Sequence, residues 1–455
     1  MTQREEVPAR IGGDWTRFGY DAARQNAGPT ATGITSANVA QATRQIVSVG
    51  GTVDSSPIYL HRIRAGGHLR DLFIVTTSYG RTVAVDADSG EVVWRFTPRR
   101  YSSWAGSFRI TNASPIADPR RHFIYSAAPD GMIHKLTVAN GREVRAGFWP
   151  ARVTRDPTHE KLGTALNLFR ARLLVATGGY IGDAPPYQGH VAVVSAKTGR
   201  LITVWNALCS NRRVLLVPRT CGESGAAIWA RAGVVVASGT EHLLVATGDG
   251  KWDGRAHWGD SVLMLSLRGR LLQNWTPRTQ AVLETGDVDL GSTAPALFGA
   301  ERAVQGGKDA QLRLLDLARL NGTRSAGRRT GGELQTIRTP GSQGLFTAPA
   351  VWSGNGRRWL FVADGSATAG YTLRAGKLVR AWRVATGGTS PVVAGGLLYV
   401  YDPDGGHLNV YRRPGGDESQ RYRRVRATGT ARSSQTDGSR SASAAPMTDQ
   451  RRASC

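Results

Sequence analysis

The sequence predicts an all-β fold. Short apolar runs rich in Val and Thr alternate with Gly and Ser turns, that pattern recurs along the chain, and apolar residues at helical spacing are scarce. The first clear unit runs from Ser55 to Phe96. It has a Ser-Ser-Pro entry, a run from Leu72 to Thr76, a turn at Gly80, a second run from Thr82 to Asp86, a Ser89-Gly90 turn and a third run ending at Trp94. Val and Thr favour the pleated backbone, and the glycines supply hairpin turn geometry. A lone meander of this size leaves apolar faces wet, so it needs copies of itself on either side.

The copies follow in order. One opens at Asn112-Ala113-Ser114-Pro115 and one at Gly163-Thr164-Ala165, which closes on Trp205. The next begins near Ser224 and closes on Trp275, and another starts at Leu290-Gly291-Ser292-Thr293 without a closing Trp. The last two contain Leu345-Phe346-Thr347 and Gly388-Thr389-Ser390-Pro391. Seven units with an irregular spacing of about 40–50 residues predict a β-propeller of seven or eight four-stranded antiparallel blades. Residues 14–420 form that single domain. Residues 14–34 either lend a strand to the final blade, joining the ends of the ring, or lie as an arm on one face. Residues 1–13 are expected to be disordered. So is the Arg- and Ser-rich stretch 421–455, whose abrupt change of composition fits a shifted reading frame or a wrongly assigned end.

The formal net charge of +24 suggests an anionic partner at first sight. Yet the basic residues are scattered through the repeats, Arg far outnumbers Lys, and no nucleic-acid-reading motif accompanies them, so specific nucleic-acid binding is not expected. Cys209 and Cys221 lie in a polar loop and are close enough to form a disulfide, the alternative being two free thiols; Cys455 is left unpaired. No CxxCH sequence offers a haem attachment. No stretch has signal-peptide or membrane-span character, which stands against the oxidising compartment that a disulfide implies. GxSxG in a usable context and HExxH are both missing, and the Gly-rich turns do not precede helices, so hydrolase, zincin and phosphate-cradle chemistry are excluded.

The segment Ala84-Val85-Asp86-Ala87-Asp88-Ser89-Gly90-Glu91-Val92-Val93-Trp94 resembles the tryptophan-docking signature of the PQQ-repeat superfamily, the eight-bladed quinoprotein alcohol dehydrogenase propellers. Ser224–Trp229, Ala246–Gly250, Asp287–Ser292 and Gly306–Asp309 with Leu315-Asp316 resemble, in the same order, segments of polyvinyl-alcohol-dehydrogenase-like quinoproteins. The resemblance implies a periplasmic or secreted protein and an alcohol oxidoreductase using pyrroloquinoline quinone (PQQ) and Ca²⁺ on a small-molecule or polymeric alcohol. A flat polyanionic cofactor calls for an aromatic floor and cations, and a hard Ca²⁺ calls for oxygen ligands. By position, Trp229 matches the stacking residue, Lys308 the cation near the quinone, Asp249 and Asp183 the metal ligands, and Asp287 or Asp289 the base. Each has a structural alternative: a blade-packing Trp229, an exposed turn pair at Lys308-Asp309, a turn aspartate at Asp249. Asp287 and Asp289 are expected to alternate along a strand, so that only one faces inward. The adjacent Cys-Cys of many such dehydrogenases does not occur. The superfamily also contains scaffolds, so the rival expectation is a non-catalytic propeller that binds protein or polymer partners.

Overall fold

The computed structural model describes residues 13–237, 239–354, 356–412 and 425–426. Seven four-stranded antiparallel sheets follow one another along the chain, each with its strands in sequence order. Blade 1 comprises Ile58–Ala65, His68–Thr76, Thr82–Asp86 and Val92–Phe96. Blades 2 to 6 begin at Ile116, Asn167, Val235, Ala296 and Ala350, and blade 7 begins with Val392–Ala394. The ring therefore has seven blades, resolving the expected seven or eight. Of the stretches 1–13 and 421–455, for which disorder is expected, residues 1–12, 421–424 and 427–455 lie outside the described residues. Within the supposed tail, Val425–Arg426 pairs with His407–Arg412 as the outer strand of blade 7.

Each sheet has two apolar faces, and neighbouring blades bury them against one another. Separate core clusters join blades 1 and 2, 2 and 3, 3 and 4, 4 and 5, 5 and 6, and 6 and 7. The closing tryptophans sit at these joints. The Trp94 indole donates to Val138 O at 2.8 Å and lies on Gly141, where a Cβ would stand 2.4 Å from its ring; Gly141 also has φ +68°. Any side chain there would lift blade 1 off blade 2.

Among the described residues no apolar cluster joins blade 7 directly to blade 1. The segment before blade 1 occupies that seam instead. Val39 packs on Leu397 and Val410 of blade 7, while Val47 and Val49 pack on Val75, Val83 and Val85 of blade 1.

The same segment also makes one circuit of the ring's inner wall. Trp15 exchanges two backbone hydrogen bonds with Tyr59 of blade 1, at 2.8 and 2.9 Å, and Thr16 O accepts from Ala117 of blade 2 at 2.9 Å. Arg17 donates to Asn167 Oδ1 and Leu168 O of blade 3. Ala22 O accepts from Val236 of blade 4 at 2.9 Å. Gln25 O accepts from Val351 of blade 6, and Asn26 O from Val393 of blade 7, each at 2.8 Å. Phe18 and Ala23 pack into the cluster shared by blades 4 and 5. The segment is an internal belt: Trp15 bridges Tyr59 of blade 1, and residues 26–29 run parallel to the first strand of blade 7 through three backbone hydrogen bonds, a short form of the expected strand that joins the ends of the ring.

Arg24 locks the belt. It is 4% exposed, and its guanidinium donates to Phe18 O at 2.5 Å, Ala165 O at 3.0 Å and Leu166 O at 2.9 Å. Arg24→Met would leave three buried carbonyls without a donor, so urea denaturation should show a loss of about 3 kcal/mol. A loss below about 0.5 kcal/mol would show that the belt is dispensable.

Candidate functional site

Strand direction places chemistry at one end of the ring. The chain enters the first strand of every blade at this end and returns to it at the turn between the second and third strands. Trp229 precedes the first strand of blade 4, and Asp249 follows its second strand, His242–Ala246. Asp287 and Asp289 lie between blades 4 and 5, and Lys308 follows Arg302–Gln305, the second strand of blade 5. Five of the six residues expected from the sequence therefore come together from two neighbouring blades.

The Asp249, Asp287 and Asp289 carboxylates each place an oxygen within 4.8 Å of the others. Lys308 Nζ lies 3.1 Å from Asp287 Oδ1, is paired with Asp289 Oδ2, and stands 5.7 Å from the centre of the Trp229 ring. Phe346 packs against the indole, its ring centre 6.2 Å from that of Trp229. Gly248 makes this closeness possible. A Cβ there would stand 2.1 Å from Asp289 Oδ1 and 3.2 Å from Trp229 Nε1. The next peptide N–H, that of Asp249, donates to Asp289 Oδ1 at 2.7 Å.

The expected strand alternation at Asp287 and Asp289 does not occur. A six-residue helix, Gln280–Thr285, ends just before them, and Asp287 takes a left-handed conformation, φ +51°. That turn lets both side chains reach Lys308, with Asp289 6% and Asp287 75% exposed. Asp183 does not join the three-carboxylate cluster. It lies in an exposed turn of blade 3, again with positive φ, beside Tyr187.

Burial and the neighbouring Asp289 carboxylate push Asp249 up to about 7, so it carries a proton through the mildly acidic range. Burial likewise pushes Asp260 up to about 8. Asp260 Oδ1 accepts from the Leu290 N–H at 3.0 Å, and its own N–H donates to Gly248 O at 2.7 Å. It thus ties the loop carrying Asp289 to the turn carrying Asp249. The sequence analysis missed Asp260, Tyr187 and Phe346. Their one signal was proximity to segments already singled out, since none matches a spacing rule.

The belt and the entry loops line a common cavity of about 1360 Å³. Phe18, Gly19 and Asn26 come from the belt, Asp54, Arg231 and Phe346 from the entry loops, and the cavity widens into the seam between blades 7 and 1 beside Tyr59 and Tyr401. Cys209 and Cys221 form a disulfide, as expected; His257 lies beside it, but the sulfurs are committed to each other. No helix among the described residues is long and apolar enough to cross a membrane.

Between about pH 4 and pH 7 the folded protein keeps a proton on Asp249 that the unfolded chain has lost, so this group lowers stability as pH rises through that window. Asp249→Asn should flatten the fall in urea-measured stability between pH 5 and pH 8, by on the order of 1 kcal/mol after solvent screening. Equal slopes in the variant and the parent protein would refute the assignment.

No protein-family profile matches the sequence, and no curated protein matches it. Solved structures do match. A quinohemoprotein alcohol dehydrogenase from Comamonas testosteroni aligns with a TM-score of 0.61 at 15% identity, over 89% of this chain and 72% of that one. A quinohemoprotein alcohol dehydrogenase from Pseudomonas putida HK5 gives 0.62 at 13% identity, over 88% and 70%. A europium-containing methanol dehydrogenase gives 0.61 at 15% identity, over 88% and 83%. At these identities the likeness is one of fold: the chain is a propeller of the kind found in quinoprotein alcohol dehydrogenases.

Proposed function

We propose that the protein is a quinoprotein-type alcohol oxidoreductase, exported to the periplasm or secreted, that binds PQQ and a hard divalent cation at the Trp229 site. The observation that carries this reading is the convergence of Trp229, Lys308 and the Asp249–Asp287–Asp289 cluster from separate loops of two blades. The donor set fits the group. Three carboxylates suit a hard, oxygen-seeking cation, and an indole face with an ammonium near it suits a flat anionic ring. A disulfide at Cys209–Cys221 accords with an oxidising compartment.

In this reading bound PQQ supplies an electron-accepting quinone, and the cation polarises it. Trp229 would supply the aromatic floor for the ring, with Phe346 packed beside the indole. Asp249, Asp287 and Asp289 would hold the cation through carboxylate oxygens that lie close together. Asp289, buried and paired with Lys308, would be placed to accept the hydroxyl proton of an alcohol. Asp183 and Tyr187 stand at the margin of the site, where they bear on access rather than on the reacting atoms. The substrate in this reading is an alcohol, small-molecule or polymeric.

A thermal-shift titration tests this. A ligand that binds only the folded state stabilises by about 2.7 kcal/mol at a hundred times Kd. PQQ with Ca²⁺ should therefore raise Tm by several degrees, PQQ alone should raise it less, and Trp229→Ala and Lys308→Ala should each abolish the rise. A folded protein that shows no shift at saturating PQQ and Ca²⁺ would instead be a non-catalytic propeller.

A further inference from the structure

Lys161 stands beside the Trp229 site with a charge that nothing in the described protein balances. It lies on the two-residue strand Glu160–Lys161, which pairs antiparallel with Gly178–Gly179, Lys161 opposite Gly178. Gly178 in turn abuts the indole residue, since a Cβ on it would stand 3.4 Å from Trp229 Cβ. The ladder therefore fixes Lys161 on the blade 3 flank of Trp229, while Lys308 comes from blade 5 on the other flank.

Its neighbours are otherwise engaged. Glu160 is buried, hydrogen-bonded to Thr154 and 3.6 Å from His190. Asp54 is held by Arg231 at 2.6 Å and by Asn112. Asp183 is turned to Tyr187. Among the described residues no carboxylate comes within ion-pair distance of Lys161, which is half-buried. The Lys161 stem runs past Gly163, where a Cβ would stand 3.5 Å from Cε and 3.6 Å from Asn112 Oδ1. That oxygen is itself buried without a partner. A desolvated, unbalanced ammonium is costly, and burial lowers its pKa to about 8. An anionic ligand group would relieve that cost.

We propose that Lys161 is a second anion-binding arm of the Trp229 site, taking a carboxylate of the planar ligand on the flank away from Lys308. This rests on the quinone reading and adds to it a ligand requirement: a flat aromatic acid whose anionic groups reach both flanks of the indole.

The test is equilibrium quenching of tryptophan fluorescence in the full chain with Ca²⁺ present. The ligands are PQQ and 9,10-phenanthrenequinone, a flat ortho-quinone with no carboxylates. Lys161→Met should weaken PQQ binding by at least about tenfold, as expected for losing one charge-assisted hydrogen bond, and should leave phenanthrenequinone binding unchanged. Lys161→Arg should restore PQQ binding to within about threefold of the parent protein. Because Lys161→Met removes an unbalanced half-buried charge, its Tm should not fall; if it does, the Lys161→Arg and Lys161→Gln pair carries the comparison. PQQ binding that is equal in the Met and parent proteins, or equal losses for both ligands, would overturn the role of Lys161 and leave the quinone site standing. No quenching of the parent protein by PQQ would overturn both.

Discussion

The structure depends on burying both faces of every sheet. A four-stranded blade is stable only between neighbours, and six of the seven joints are made by blade packing on blade. The seventh joint is made by the segment that precedes blade 1. Its valines cover the outward faces of the two terminal blades, and its earlier residues bind the inner strands in ring order. The site inherits its geometry from this closure. Trp229, Asp249, Asp289 and Lys308 sit on loops whose spacing is set by how blades 4 and 5 meet, and Phe18 and Ala23 of the belt pack into that joint.

The electrostatics of the site follow from crowding like charges in a partly dry place. Three carboxylates share one corner, and only one cation, Lys308, is paired with any of them. The arrangement relieves itself in two ways. Asp249 holds its proton up to about pH 7, and Lys308 spans Asp287 and Asp289. In the proposed site a divalent cation would take over both roles. Trp205 and Trp275, which pack between blades, are fully enclosed. Trp229 is half-buried, with Lys308 and Phe346 against it.

Much of the fold was legible in the sequence because it repeats. Alternating Val and Thr runs and glycine turns specify a strand and its register locally, and seven copies specify a ring. The belt was not legible. Trp15, Arg24 and Asn26 act through hydrogen bonds to partners as far away as Val393, 367 positions beyond Asn26, and no local pattern encodes such a bond. At the site, residue types in ordered segments brought out Trp229, Asp249 and Lys308. The strand expectation for Asp287 and Asp289 failed because the left-handed turn at Asp287 overrides period-two alternation. Asp260 stayed hidden because its role lies in bracing Leu290 and Gly248 rather than in touching a ligand.

The belt also fixes when the site can come into being. Its first residues wait for blade 1, but Gln25 and Asn26 find their partners only in blades 6 and 7, after more than three hundred further residues have been made. Closing loops of that span makes folding slow and strongly non-local. Until the last blade is in place the inner wall is incomplete, and the joint that supports Trp229 and Lys308 lacks its inner support. The loops that carry Trp229 and Lys308 thereby gain their inner support only once the ring has closed.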